Sequence, residues 1–158
     1  MLLNCSIFLG DPCRGDVYLT RGVDGVERSA LTVVTDYDGV VATVALCSPD
    51  VEFGSSSDVV LPAGESFGYA LLLQSDIYGY VWDDQLSAKV GTVPLNVYSV
   101  FDGLRRGECD AVDVAGPPIV RKSDPRWKFK RDELERLNVL KESCTNYLVG
   151  RHSVKVEV

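Results

Sequence analysis

Three residue types that can act together as nucleophile, orienting acid and base occur in this 158-residue chain in a recognisable order. The segment Gly64-Glu65-Ser66-Phe67-Gly68 matches G-x-S-x-G, in which the glycines permit a sharp turn that exposes the serine. Asp102 and His152 follow it, in the order in which α/β hydrolases place their acid and base. That fold needs repeated strand–helix alternation, which this sequence lacks, and a β-turn explains the glycines more simply. Hydrolysis by Ser66, Asp102 and His152 is therefore retained only as an alternative.

Two carboxylates in Asp36-Tyr37-Asp38-Gly39 have the spacing seen in calcium-binding loops. The position that would carry the final glutamate of such a loop is Cys47, and the flanking segments are typical of strands rather than helices. The Asp-Gly pair therefore favours a hairpin turn. Because the five cysteines are widely spaced and His152 is the single histidine, the ligand spacing of a zinc site is missing. We predict no metal and no cofactor.

The strongest candidate for a binding site is a basic and aromatic segment between residues 121 and 131. Its predicted partner-binding residues are Arg121, Lys122, Arg126, Trp127, Lys128, Phe129, Lys130 and Arg131. Because cations neutralise phosphates and aromatic rings stack on bases, nucleic acid is one possible partner. The net charge of −7 repels a polyanion, however, and favours a protein surface or a neighbouring copy of the chain. A solvated helix face with Trp127 in the core is the third interpretation.

Charge is distributed unevenly along the chain. Residues 1–115 contain 17 acidic and 6 basic side chains, a net charge of −11, whereas residues 116–158 carry a net charge of +4. A division of this kind indicates a binding surface or an arm, because charge pattern steers partners more than it determines a fold.

The first hundred residues are typical of short antiparallel strands that would position these side chains. Strands are predicted at residues 16–21, 28–35 and 40–47, joined by tight Asp-Gly turns. Further strand candidates continue to residue 100, and they include the alternating segment 95–100. The predicted fold class is mainly β, an antiparallel sandwich or barrel of short strands with one C-terminal amphipathic helix and a final strand.

Two units are predicted, an acidic β domain over residues 1–116 and a C-terminal unit over residues 117–158. The second begins with a Pro-Pro hinge and the basic segment, and continues into a helix over about residues 125–148. The predicted apolar stripe of this helix includes Trp127, Leu134, Leu137 and Leu140. The alternating segment 153–158 predicts a terminal strand.

The apolar N-terminus lacks a basic region and is followed at once by Asp11, which argues against a signal peptide. No apolar run reaches the length of a membrane helix. The odd number of widely spaced cysteines favours free thiols in a reducing compartment. The predicted location is therefore cytoplasmic after synthesis, or within a virion if the protein is viral.

These features together favour a non-catalytic structural or assembly protein that packs into a larger complex, such as a virus or phage particle. Its acidic β surface and basic arm would make the contacts, with a protein or neighbouring copies as partner and nucleic acid less favoured. The first alternative is a small acidic inhibitor or adaptor that binds a basic partner. The second is the serine hydrolase, and otherwise no enzymatic activity is predicted.

Overall fold

The computed structural model describes residues 11–22, 29–64, 67–108 and 114–140. Six strands lie in this part of the chain: β1 (Asp16–Arg21), β2 (Ser29–Tyr37), β3 (Val41–Ser48), β4 (Asp58–Leu61), β5 (Leu71–Trp82) and β6 (Leu86–Thr92). They are followed by two α-helices, α1 (Leu95–Arg105) and α2 (residues 125–140). Short 3-10 helices occur at Val51–Phe53 and Asp83–Gln85.

The strands form one open antiparallel sheet rather than the predicted sandwich or barrel. Their order is β4-β5-β3-β2-β1-β6, so that β4 and β6 are its two edges. The predicted neighbours β1, β2 and β3 pair as a meander. Gly39 has a φ of 101° in the hairpin between β2 and β3, which a side chain would strain. The predicted mainly β, antiparallel class is therefore confirmed, whereas closure of the sheet is wrong.

Two helices make a second sheet unnecessary, because each covers one face of the sheet. Alternate strand residues, among them Val33, Ala45 and Leu73, pack with Phe101 of α1 in one core. Their neighbours on the other face, among them Val44 and Leu46, pack with Leu137 and Leu140 of α2 in a second core. Burial on both faces explains why β3 is an almost continuous apolar run instead of a simple alternation.

Helix α1 replaces the strand predicted over residues 95–100. The apolar residues of that segment alternate as in a strand, but they also fit a helical repeat. In the helix, Tyr98 and Phe101 are buried, and Val97 and Leu104 pack beside them. Pro94 is tolerated as the residue that caps the helix, since no hydrogen bond from its nitrogen is required there. The long-range core contacts of Phe101 therefore select the helix over the strand.

The predicted final strand at residues 153–158, and the predicted helix beyond residue 140, lie outside the described residues. The last described strand is β6, which precedes both helices. The division at residue 116 stays a prediction. No described helix has the length and apolar character needed to cross a membrane.

The cysteines differ in state. Cys47 is a free, buried thiol, and burial raises its pKa strongly. Cys13 is disulfide-bonded, contrary to the expectation of free thiols throughout.

Candidate nucleic-acid interface

Helix α2 brings part of the predicted basic segment onto the molecule's own acidic body. The buried ammonium of Lys130 donates to Asp58 Oδ1, to Gln74 Oε1 at 3.0 Å and to Asp76 Oδ1 at 2.9 Å. Asp58 is fully buried and also accepts hydrogen bonds from Ser55 N and Oγ. Burial raises the pKa of Asp58, and the charge of Lys130 opposes that rise. All three donors of the lysine are therefore satisfied within the chain.

Glu133 lies one turn after Lys130 on the same buried stripe. Its Oε1 accepts a hydrogen bond of 2.8 Å from Gln74 Nε2, and its Oε2 lies 3.7 Å from Arg136. Burial raises the pKa of Glu133 above its ordinary value. The pKa of Glu133 is therefore higher in the folded state than in the unfolded state. As a result, the free energy of unfolding falls as the pH rises through the folded-state pKa and the carboxyl ionises.

We expect Glu133→Gln to be at least as stable as the wild type at pH 7, because the amide keeps the contact with Gln74 without a buried charge. Its advantage should shrink towards pH 4, where the wild-type carboxyl is protonated. Glu133→Ala is expected to cost about 1–3 kcal/mol, since Gln74 loses its buried partner. Urea unfolding at several pH values measures both variants, and a Gln variant that loses as much stability as the Ala variant would refute this assignment.

Two more residues of the segment also face inward. Arg126 Nη1 donates to Gly54 O at 3.0 Å and Pro117 O at 2.7 Å, and its guanidinium pairs with Asp124. Phe129 stacks on Phe53 with ring centroids 4.7 Å apart and planes 8° from parallel. Arg126, Phe129 and Lys130 are thus packed in the same chain.

The rest of the segment faces solvent, and we call it the outer basic face: Arg121, Lys122, Trp127, Lys128 and Arg131. Trp127 is 42% exposed and Leu134 is 44% exposed, so the predicted apolar stripe is wrong at these two positions. The buried stripe instead contains Lys130, Glu133, Leu137 and Leu140, at helical spacing. Ion pairing of Lys130 allows a charged residue to occupy a position that an apolar pattern would assign to the core.

Of the predicted hydrolase residues, only Asp102 lies in the part of the chain that the structure describes. Asp102 lies on α1, where Arg105 and Arg106 approach its carboxylate to 2.7 and 3.0 Å. Ser66 and His152 lie outside the described residues. Gly64 N donates a hydrogen bond of 2.8 Å to Phe67 O, which holds these two residues of the motif close together.

A second polar surface lies on the sheet face that also carries α1. Tyr78 is paired with Ala45, a member of the core under that helix, and Tyr80 is paired with Thr43 two positions along. Residues two apart on a strand share a face, so both tyrosines continue this face beyond the helix. They are 56% and 46% exposed. The helix therefore leaves part of the sheet open, with two aromatic rings on it.

Beside Tyr80 is a pocket of about 370 Å³, lined by Asp36, Asp38, Val41, Thr43 and Tyr80. Thr43 is the register partner of both Asp36 and Tyr80, which places the three side chains in one row across β2, β3 and β5. Asp38 Oδ1 accepts hydrogen bonds from the backbone amides of Val40 and Val41 in the hairpin. Asp36 is also exposed, and Arg14 Nη2 lies 3.6 Å from its carboxylate.

Three arginines approach this side of the sheet around Tyr98 of α1. Burial and Asp102 raise the pKa of Tyr98, while Arg105, Arg14 and Arg106 each act to lower it. The buried Tyr98 hydroxyl has no hydrogen-bond partner among the described residues. An anionic oxygen in this region would find guanidinium donors from two separate parts of the chain.

Tyr78, Tyr80 and Arg14 are not among the functional residues predicted from the sequence. The signal for the tyrosines was their i, i+2 spacing, which predicts a common face once they belong to one strand. Residues 67–74 and 80–82 are predicted from the sequence as two separate strands, whereas β5 is a continuous strand of 12 residues. The pairing of Arg14 with Asp36 spans 22 positions and carries no local signal.

Comparison with known proteins finds matches among solved structures. No family model matches the sequence, and no curated protein matches it. A solved structure described as an endoribonuclease in complex with its cognate antitoxin, from Mycobacterial species, is 13% identical with a TM-score of 0.45. The match covers 61% of this chain and 93% of that chain.

This comparison contradicts the predicted non-catalytic structural or assembly function, its adaptor and hydrolase alternatives, the predicted lack of enzymatic activity and the virion assignment. We retain none of them. With a TM-score below 0.5, the likeness assigns neither an activity nor a partner to this chain, and the function must be argued from the described residues.

Proposed function

We propose that this protein binds single-stranded RNA across the open part of its sheet and cleaves the strand there. The observation that carries the proposal is the pair of exposed tyrosines, Tyr78 and Tyr80, beside a pocket that contains Asp36, whose carboxylate Arg14 approaches from outside the pocket. Exposed aromatic rings on a sheet are suited to stacking on unpaired bases, because every base presents a π-face.

Phosphate contacts would come from Arg14, with Arg105 and Arg106 from the end of α1. Each of these guanidiniums is at present paired with a carboxylate, Arg14 with Asp36 and the other two with Asp102. The side chains of Arg14 and Arg106 are largely exposed, so a phosphate can approach them from solvent. Local arginines offset the repulsion that the acidic body as a whole exerts on a polyanion.

The pocket also supplies groups for metal-independent strand cleavage. The Asp36 carboxylate would accept the proton of a ribose 2′-hydroxyl, whose oxygen then attacks the adjacent phosphorus. The bond from phosphorus to the 5′-oxygen breaks, and that oxygen takes a proton from water. Arg14 would stabilise the negative charge that develops on the phosphate oxygens. The products are a 2′,3′-cyclic phosphate and a 5′-hydroxyl end.

The sequence also predicts a protein partner for the basic segment. That partner remains a proposal, and it concerns a different surface from the RNA site. Helix α2 packs on the opposite face of the sheet from α1, so the outer basic face is separate from the tyrosine pair.

Alanine substitution of Tyr80 is expected to weaken binding of a fluorescein-labelled 12-nucleotide RNA by about 1–3 kcal/mol, the usual value of one base stacked on an aromatic ring. Tyr78→Ala is expected to have a similar effect, and fluorescence anisotropy titration measures both. Tyr69→Ala is the matched control, since Tyr69 is also exposed but precedes β5. Equal affinity of all three variants and the wild type would exclude the tyrosine pair as the RNA site.

A further inference from the structure

The outer basic face has positive charge that the rest of the described chain does not neutralise. No described residue forms an ion pair with Arg121, Lys122 or Arg131, although Lys122 Nζ lies 6.0 Å from the centre of the Trp127 ring. Lys128 is the exception, because Asp132 pairs with it at 3.1 Å.

Three acidic groups around the start of α2 already have cationic partners. Asp124 is paired with Arg126, while Asp58 and Asp76 share Lys130. Among the described residues, these carboxylates are therefore already compensated, and none of them forms an ion pair with Arg121 or Arg131.

Apolar groups accompany this charge on the same side of the helix. Trp127 and Leu134 are seven residues apart, which is close to two helical turns, and Arg131 lies between them. Val120, just before the helix, is 81% exposed. An aromatic anchor with arginine and exposed aliphatic groups is the composition of a protein-binding patch.

We propose that the outer basic face binds an acidic polypeptide segment of another protein, which places an apolar side chain against Trp127 and Leu134. Charge complementarity selects the acidic character of the partner. The aliphatic groups favour a polypeptide over RNA, because Leu134 and Val120 offer bases no ring to stack on. This surface is independent of the tyrosine pair and of the cleavage proposed for the pocket.

The probe is a fluorescein-labelled 12-residue peptide with two central leucines and glutamates on both sides. We expect Arg131→Glu and Trp127→Ala each to weaken its binding at least about tenfold, as truncation of an anchor residue typically does. Arg21→Glu changes the charge by the same amount on β1 and should leave peptide affinity within about twofold, because an exposed charge outside this face acts weakly on it. Circular dichroism confirms that each variant is folded.

Two outcomes would overturn the proposal. One is that the wild type does not bind the peptide, or that Arg21→Glu weakens binding as much as Arg131→Glu. The other is that Trp127→Ala and Arg131→Glu reduce binding of the labelled RNA or of phosphatidylserine vesicles while peptide binding is unchanged. Either result can be read separately from the Tyr80→Ala titration, which tests the RNA site alone.

Discussion

Asparagine in place of Asp36 is expected to lower the rate of RNA cleavage by about 10²- to 10⁴-fold, the range for loss of a general base. The amide is nearly the same size as the carboxylate but cannot accept the 2′-hydroxyl proton. RNA affinity should not fall, since the substitution removes a negative charge from the pocket and leaves the nearby Arg14 without its carboxylate partner. Cleavage of a 12-nucleotide RNA in the presence of EDTA, followed by electrophoresis, measures the rate.

Asp84→Asn is the matched control, because Asp84 is exposed beside the end of β5 and its substitution changes the charge equally. It should cleave RNA at the wild-type rate. A DNA strand of the same sequence should remain intact, since it lacks the 2′-hydroxyl. Undiminished cleavage by Asp36→Asn would rule out this carboxylate as the base.

Methionine in place of Lys130 is expected to lower the free energy of unfolding by about 3–5 kcal/mol, as removal of one partner from a buried ion pair does. Asp58 would be left fully buried without its counter-charge, and Gln74 would lose a donor. The loss should be smaller at acid pH, because protonation removes the charge of Asp58. Because burial raises the pKa of Asp58, the loss of stability should begin to shrink at a pH closer to neutral than it would for an exposed aspartate.

Lys128→Met provides the comparison within α2. Its ammonium is exposed and pairs only with Asp132 among the described residues, so the expected cost is below about 1 kcal/mol. Urea unfolding monitored by tryptophan fluorescence and circular dichroism determines both values. If the two variants lose equal stability, the buried cluster does not hold α2 on the sheet.

The strand meander was predictable because its signals are local. Asp38-Gly39 specifies the hairpin through side-chain and backbone geometry within four residues, and Asp38 Oδ1 does bond the amides that follow. The same reasoning could not identify the open sheet. Whether a sheet closes into a barrel or stays open depends on what covers each of its faces. Here the covering residues, Phe101 and Leu137, are distant in sequence from the strands they contact.

The candidate sites were harder to predict than the strands, because they depend on contacts between residues that are distant in sequence. The basic segment was visible as a composition, but its division into inward and outward halves depends on Asp58 and Asp76, which lie more than 50 positions from Lys130. Charge in a sequence does not reveal which cations are already paired. Only the fold shows that Lys130 is neutralised internally, whereas no described residue forms an ion pair with Arg131.

The most direct test of the RNA site is photocrosslinking of the wild-type protein to a 12-nucleotide RNA that contains 4-thiouridine. Mass spectrometry then locates the modified residue. The proposed site predicts cross-links in β5, at Tyr78 or Tyr80, and competition by unlabelled RNA should abolish them. Cross-links confined to Trp127 and its neighbours on α2, with none in β5, would contradict it.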